Sequence, residues 1–511
     1  MLLIEGLKKA PIERLRLCIA CRTFEWPLTL ENGLKELWGE NSVHVCELVP
    51  LRRVDVVEAV NANDLDSQEF LSEVDRIEAV PFAVTPVTLN FLINVYLKKG
   101  HLPRTKWDLY VQGCRLLCED PSESRRESRL TGDLDPPQRM AVAARIAAVT
   151  IFANRYAIWT DLDRGNVPHE DVTISELLGR TESADGRGFD IKEKAVRETI
   201  GTALFSSRGP GRMGWSHQTY AEFLASFYLV ERQTTFVQMM SLLAHGGDPE
   251  GRLVPQIHGV ASWLATKLPE LFQEIAVNEP EVLLRGDLAT SSQENRAVLT
   301  DHLLKFYDEE KSLGFESDIR KGYMKLLHPG LADQLRPYIH DKKKGYAVRQ
   351  VAIEIAEACR LEAMEADLLE LTLDPSEIPR IRVDAAYAII RTGNEETKKG
   401  MKGLLDLRPE DDPDNQLKGC ALLALWPNHI TAVELFATLT APKAKPCSGP
   451  YNMFLAYRLG ENLSPADIPT ALNWVEGQTE RRQLPDSFQK LMDSIFLVSW
   501  QNIEEPEGTA R

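Results

Sequence analysis

Apolar and polar residues follow two different patterns over the first fifty residues of the chain. Residues 1–10 form a short amphipathic pattern that Pro11 ends, and the apolar spacing over 28–38 predicts a second helix. Between and after them, 15–21 (LRLCIAC) and 43–48 (VHVCEL) are short apolar runs that predict buried strands. Strand, helix, strand over about 35 residues is one parallel crossover unit.

Two parallel strands are an incomplete sheet. Parallel sheets are normally buried on both faces, and an isolated strand pair is only marginally stable in water. We therefore expect the remaining strands to come from a segment before Met1 or from another chain. Cys18 and Cys21 form a CxxC pair, but on a strand their thiols would point apart. This spacing argues against a redox or zinc site.

From Arg53 onwards the pattern is helical. Helices are expected over 55–61, 66–75 (capped by Asp66 or Ser67), 88–98, 106–118, 137–154, 192–202 and 218–231. Two β-like runs, 203–207 and 213–216, flank the turn sequence RGPGR before the last of these helices. Helix, hairpin, helix is typical of a winged-helix domain. Trp215, Tyr220 and Phe223 are helix-spaced aromatics that we assign to its core.

The remainder, 233–511, predicts helix pairs with short breaks. Three segments can be aligned, beginning at Arg349, Val383 and Gly419, with 34 residues between the first two. Each has small residues where two helices would approach. A period of about 35–45 residues with helix pairs indicates a helical-repeat solenoid. An irregular helical bundle is the alternative.

Composition narrows the class of protein. With 511 residues, the chain should form several domains. Its net charge of −17 argues against a general nucleic-acid binder, and we interpret the basic runs Arg125-Arg126 and 342–344 as solvated loops. Eight scattered cysteines indicate a reducing, cytoplasmic setting. No long apolar run occurs, so we expect no membrane partner.

Three segments resemble the NACHT branch of the STAND ATPases, a family of signal-transduction nucleotide switches. They are LRLCIACRTFEW at 15–26, VPFAVTPVTLNFLINVYLKKGHLPRTKWDLYVQGCRLLC at 80–118, and GWSHQTYAEFLASFYL at 214–229. In sequence order they resemble the strand ending in the sensor-1 arginine, the helical domain after the ATPase sheet, and the winged-helix motif. Together they span residues 15–229.

The resemblance implies ATP or ADP as ligand and assigns three nucleotide-binding residues. Arg22 would contact the γ-phosphate, Pro86 would pack on the adenine, and His217 would reach the β-phosphate. A plainer interpretation exists for each of them. Arg22 could form a surface salt bridge, Pro86 could simply start a helix, and His217 could simply cap one.

The chain also departs from this family. No Gly-x-x-x-x-Gly-Lys-Ser/Thr loop occurs, and no apolar strand ending in paired acids precedes Arg22. The first of these would cradle the phosphates and help to hold magnesium. We therefore name no catalytic residue and no metal site, expect ATP or ADP to bind weakly or not at all, and expect no enzymatic activity from this chain alone. We interpret it as beginning after Walker B.

The predicted fold is mainly α: a partial α/β ATPase remnant of two parallel strands (1–52), a helical domain (53–130), a winged helix (131–232) and an α-solenoid of HEAT-like repeats (233–511). The family relationship implies the regulatory and sensor part of a bacterial signalling or phage-defence ATPase. Its repeats would bind a protein ligand, and it would form a homo-oligomer or join a missing N-terminal half. A non-enzymatic helical-repeat scaffold is the alternative. DNA binding by the winged helix is a third, disfavoured by Glu222 and the broad apolar face of the last helix.

Overall fold

The computed structural model describes residues 2–8, 10–19, 28–44, 46, 49–119, 132–161, 167–248, 251–286, 292–309, 317–441, 449–478 and 485–502. Of the described residues, 65% are helical and 5% lie in strands, which include a small mixed sheet. It divides into two compact units, Met1–Ser291 and Ser292–Arg511. The range assigned to the repeats, 233–511, therefore contributes to both units.

The helices of the first unit match most of the predicted ones closely. They are α1 (Leu2–Leu7), α2 (Leu28–Trp38), α3 (Arg53–Asn61), α4 (Ser67–Arg76), α5 (Val80–Ala83), α6 (Pro86–Lys99), α7 (Lys106–Leu117), α8 (Pro136–Phe152), α9 (Ile174–Leu177), α10 (Glu193–Ile200), α11 (Gln218–Glu231), α12 (Phe236–Leu243), α13 (His258–Ala265), α14 (Pro269–Asn278) and α15 (Pro280–Leu283). Local capping explains where many begin. Asp66, for example, accepts hydrogen bonds from the amides of Gln68 (2.7 Å) and Glu69 (2.9 Å) at the start of α4.

The predicted hairpin belongs to a larger sheet. Its strands are β5 (Phe205–Ser207) and β6 (Arg212–Trp215), and the sheet also contains β1 (Ala157–Trp159) and β2 (Asp171–Thr173) in the order β2-β1-β6-β5. β1 is parallel to β2 and antiparallel to β6, with Ile158 opposite Met213. A separate hairpin joins β3 (Thr181–Ala184) to β4 (Arg187–Asp190). None of β1 to β4 was predicted. Strands of three or four residues are too short to show an alternating pattern, and the equally short β5 and β6 were found through the turn sequence RGPGR between them.

The two strands predicted near the N-terminus are wrong wherever the structure describes them. Residues 15–19 have no regular secondary structure, and neither do Val43, His44 and Cys46. Leu15 and Leu17 are exposed. Their side chains are thus not buried between neighbouring elements, which is the environment that the strand prediction required. The rest of both runs, with Cys21, lies outside the described residues.

The second unit is built from further helices. They are α16 (Gln293–Asp308), α17 (Ser317–Arg320), α18 (Leu331–His340), α19 (Tyr346–Ala358), α20 (Glu365–Leu373), α21 (Pro379–Thr392), α22 (Glu395–Gly400), α23 (Gln416–Leu425), α24 (Ala432–Thr438), α25 (Pro450–Met453), α26 (Leu459–Glu461), α27 (Ile468–Glu476) and α28 (Asp486–Gln501). Alternate helices pack in series, with α19 against α18 and α21, and α21 against α20 and α23.

Two buried arginines make the same kind of hydrogen bond in successive helix pairs. Arg349 donates from Nη2 to the carbonyl of Ile339 (2.7 Å), and Arg382 donates from Nε to the carbonyl of Thr372 (3.0 Å). Each acceptor lies ten residues before its arginine, at the end of the preceding helix. Arg349 is therefore equivalent to Arg382, which corrects the alignment of Arg349 with Val383 by one residue. An alignment based on small residues alone did not reveal the correspondence of Arg349 with Arg382.

Polar side chains also connect equivalent positions of successive helix pairs. Contacts between side chains 31 to 34 residues apart join Gln334 to Asp301, Arg336 to Asp367, Lys342 to Asp374, Arg391 to Glu357, and Lys402 to Glu434. Contacts that recur at one separation are expected when similar units stack on each other. Searching the described residues for a helix that could cross a bilayer finds none.

Candidate functional site

Of the three residues assigned to nucleotide binding, two can be placed. Arg22 lies outside the described residues. Pro86 and His217 both belong to the first unit, Pro86 at the start of α6 and His217 immediately before α11.

Pro86 is the first residue of α6 and is exposed. The turn before it is fixed by Thr88, whose buried hydroxyl donates to the carbonyls of Phe82 (2.6 Å) and Thr85 (3.2 Å). A proline at this position loses no hydrogen bond, because the first amides of a helix have no partner within it. The ring is therefore held on the surface by a turn whose polar groups are satisfied.

His217 caps α11 through its imidazole. Nδ1 accepts a hydrogen bond from the amide of Thr219 (3.2 Å) and lies 2.8 Å from the hydroxyl of the same residue. Tyr110 donates its phenolic hydrogen to that hydroxyl oxygen (3.3 Å), so the Thr219 hydroxyl can donate onward to Nδ1. Because Nδ1 acts as an acceptor, the hydrogen of a neutral imidazole must be on Nε2.

The environment of His217 favours this neutral form. Burial lowers the pKa of His217 below its ordinary value. No hydrogen bond from the described part of the chain reaches Nε2. The half-buried residue thus offers an N–H donor beside the first amides of a helix, a place that suits an anion.

Tyr220 brings the Pro86 segment and the His217 segment together. Its hydroxyl donates to the carbonyl of Pro81 (2.6 Å), and its ring lies 5.2 Å from that of Phe82. Phe82 also packs edge-on against Tyr110 at 4.7 Å. The turn before α6 and the first turn of α11 therefore share one buried cluster.

This cluster depends on close packing and on protonated phenols. A Cβ on Gly113 would lie 2.3 Å from the Phe82 ring, so only glycine fits beneath that ring. Burial raises the pKa of both Tyr110 and Tyr220, which keeps their hydroxyls as donors. The sequence indicated Tyr110 only as part of a motif and Tyr220 only as a core residue. Their role in joining two distant segments was missed.

An aromatic layer behind the cluster adds α13. Trp263 packs edge-on against Tyr110 (4.7 Å) and Phe223 (5.1 Å), and Trp107 packs against Phe223 (5.1 Å). Lys106, which is buried, pairs with Glu78, and its ammonium lies 4.8 Å from the centre of the Trp263 ring. The candidate site is thus supported by a rigid layer drawn from α7, α11 and α13.

The Nε2–H donor of His217 beside the start of α11 is chemically suited to an anion. Within the described ranges, no group of three or more His, Cys, Asp or Glu side chains could hold a metal ion. Comparisons with protein-family models, with curated proteins and with solved structures found no match.

Proposed function

We propose that this chain is the regulatory and sensor part of a NACHT-type nucleotide switch, acting in bacterial signalling or phage defence. The observation that supports this best is the geometry at His217. Its Nδ1 is fixed by Thr219, its pKa is lowered by burial, and its Nε2–H remains a donor beside the start of α11. Those are the properties that a phosphate-sensing histidine requires.

The topology around the site supports a winged-helix domain. From α8 the order is helix, strand, helix, helix, strand, strand, and the first strand (β1) lies beside the last (β6). β2 and the β3–β4 hairpin are insertions in that order. α11 then packs against α8 and α13, so the helix bearing the phosphate donor is held by two others.

The residues fit one part of a nucleotide site. Pro86 offers an exposed apolar ring for the adenine, and Nε2–H of His217 offers a neutral donor to the β-phosphate. Because the hydrogen bond from Tyr220 to Pro81 joins these two segments, we expect one ligand to contact both of them. The sequence contains no phosphate-binding loop, so we expect weak affinity for ATP and ADP and derive no hydrolytic step.

The helical repeats are the proposed sensor for a protein ligand. Recurrent contacts at 31 to 34 residues favour a stacked, HEAT-like array. The same observation favours the second candidate, a non-enzymatic scaffold in which the nucleotide half-site is unused. A nucleotide titration separates the two functions.

DNA binding by the winged helix is disfavoured by its charges. Both basic side chains of α10 are paired, Lys194 with Asp133 (2.7 Å) and Arg197 with Glu193 (2.7 Å). The apolar face of α11 is buried, including Tyr220 and Phe223. No array of free cations for a phosphate backbone is left on these two helices.

ADP titration of the full chain by calorimetry tests the proposal. We expect a dissociation constant in the millimolar range, on the order of −4 kcal/mol. His217→Asn keeps a residue that can cap α11 but removes Nε2–H, so we expect at least a fivefold loss of affinity. His245→Asn, on an exposed histidine, is the matched control and should bind like the wild type.

Two results would overturn this function. One is no saturation by ADP at 10 mM, roughly tenfold above the expected constant, which would leave the non-enzymatic scaffold. The other is an unchanged affinity in His217→Asn. Affinity in the nanomolar range would instead contradict the expectation that the chain lacks a complete phosphate site.

A further inference from the structure

A cleft of about 410 Å³ lies where α6 ends and α7 begins. Lys99, His101, Pro103, Arg104, Asp108 and Val111 are among its lining residues. Its volume falls in the range of about 300–1,000 Å³ that is usual for small-molecule sites.

The lining is basic in a chain whose net charge is −17. Lys99, His101 and Arg104 form no ion pair with any residue that the structure describes. The one acidic lining residue, Asp108, accepts a hydrogen bond from the Thr105 hydroxyl (2.6 Å) at the start of α7. Two cations without an ion pair, Lys99 and Arg104, therefore line the cleft together with the His101 ring and a single carboxylate that already accepts a hydrogen bond.

The loop that carries these side chains is fixed by its neighbours. Gly100 adopts a left-handed conformation (φ 73°), and its amide closes α6 by donating to Tyr96 O (2.7 Å). Leu102 is fully buried, and its amide lies 3.4 Å from Oε2 of Glu73. Pro103 is buried as well. The cations on either side of these residues are therefore presented by an ordered backbone, which reduces the entropy lost on binding.

The cleft is separate from the candidate nucleotide site. Pro86 and Lys99 stand at opposite ends of α6, which at 1.5 Å per residue places their backbones roughly 20 Å apart. On α7, Asp108 and Val111 line the cleft, whereas Tyr110 contacts Thr219 and Phe82. The two sites therefore use different ends of α6 and different faces of α7.

We propose that this cleft binds a phosphate-bearing small molecule. The Arg104 guanidinium can hold two phosphate oxygens at once, and the Lys99 ammonium adds a point charge. Nδ1 of His101 must donate to the carbonyl of Leu102 (2.8 Å), because a carbonyl only accepts, so Nε2 of the neutral ring is an acceptor for a ligand hydroxyl and not a donor to the phosphate. Asp108 supplies an acceptor for a ligand hydroxyl, and Pro103 with Val111 supplies a small apolar contact.

The alternative explanation of Lys99 is that it only balances the dipole at the end of α6, as Lys98 also would. Lys98 does not line the cleft. Lys98→Gln therefore removes the same charge one residue away and is a matched control for Lys99→Gln.

Calorimetric titration of the full chain with pyrophosphate, at constant ionic strength, tests the proposal. We expect saturable binding that weakens at least tenfold in Lys99→Gln and in Arg104→Gln. In Lys98→Gln it should stay within twofold of the wild type, and His217→Asn reports separately on the proposed nucleotide site. Circular dichroism and thermal unfolding of each variant show whether it remains folded.

The outcomes separate this site from the nucleotide switch. Equal losses of pyrophosphate affinity in Lys98→Gln and Lys99→Gln would indicate a non-specific effect of charge and would overturn the proposed binding in the cleft. Absence of saturation at millimolar pyrophosphate would overturn it too. A loss only in His217→Asn would overturn the cleft while supporting the proposed nucleotide site. Losses of pyrophosphate affinity only in Lys99→Gln and Arg104→Gln would establish binding in the cleft, whatever the result of the ADP titration.

Discussion

At the residue scale, Glu222 makes the stability of the first unit depend on pH. It lies on α11, and its carboxylate faces Gly259 of α13, where an added Cβ would be 2.4 Å from Oε2. Burial raises the pKa of Glu222 above its ordinary value of 4.5, although a hydrogen bond from Gln218 and the charges of Lys106 and Arg285 lower it. The folded chain therefore holds this proton more tightly than the unfolded chain does.

The raised pKa of Glu222 determines whether replacing this residue raises or lowers stability at a given pH. A carboxyl with a raised pKa in the folded state makes folding less favourable as pH rises above its unfolded value. We expect Glu222→Gln to raise the melting temperature at pH 7.5 and to match the wild type at pH 4, where both side chains are neutral. Thermal unfolding at the two pH values measures this. A lower melting temperature of Glu222→Gln at pH 7.5 would show that its ion pairs outweigh burial.

The choice of Pro86 and His217 shows what a residue pattern can and cannot predict. Both were chosen from short motifs, and their places at helix starts follow from local rules. The hydrogen bond from Tyr220 to Pro81 crosses 139 residues of sequence, and no local pattern encodes it. The sequence motifs therefore identify the two residues, whereas the contact between their segments depends on how the fold packs.

At the element scale, helices were predicted far better than strands. The apolar spacing over 28–38 and over 218–231 predicted the bounds of α2 and α11 as the structure has them. A helix satisfies its own backbone, so its pattern is visible locally. β1 needs β6 as a partner, more than 50 residues later. The described part of the first apolar run, 15–19, shows that such a run alone does not make a strand.

Helix contact in the second unit allows a prediction with a built-in control. A Cβ on Gly419 would lie 2.2 Å from the backbone nitrogen of Tyr451, so α23 meets α25 through this glycine. We expect Gly419→Ala to lower the free energy of unfolding by about 1–3 kcal/mol. Gly403→Ala has nothing within 4 Å of its Cβ and should be neutral or slightly stabilising. Urea denaturation compares them, and equal effects would contradict close packing at Gly419.

At the scale of the whole molecule, two compact units predict two unfolding events. The second unit contains a buried ion pair in which Arg349 donates to both carboxylate oxygens of Glu377, at 2.8 and 2.6 Å. Burial raises the pKa of Glu377, but the hydrogen bonds from Arg349 lower it, and this pKa lies below its usual range. Arg349→Met would leave that carboxylate buried and unpaired, which typically lowers stability by about 3–5 kcal/mol.

We expect Arg349→Met to lower the midpoint temperature of only one calorimetric transition. Hydrogen exchange should show lost protection of amides within 317–441, while protection within 132–248 stays unchanged. Because the damage comes from an unpaired charge, replacing both partners in Arg349→Met/Glu377→Leu should recover much of the loss. Lys402→Met removes an exposed ion pair with Glu434 and should lose less than about 1 kcal/mol. If Arg349→Met lowered the midpoint temperatures of both transitions together, the expectation that the two units unfold separately would be contradicted.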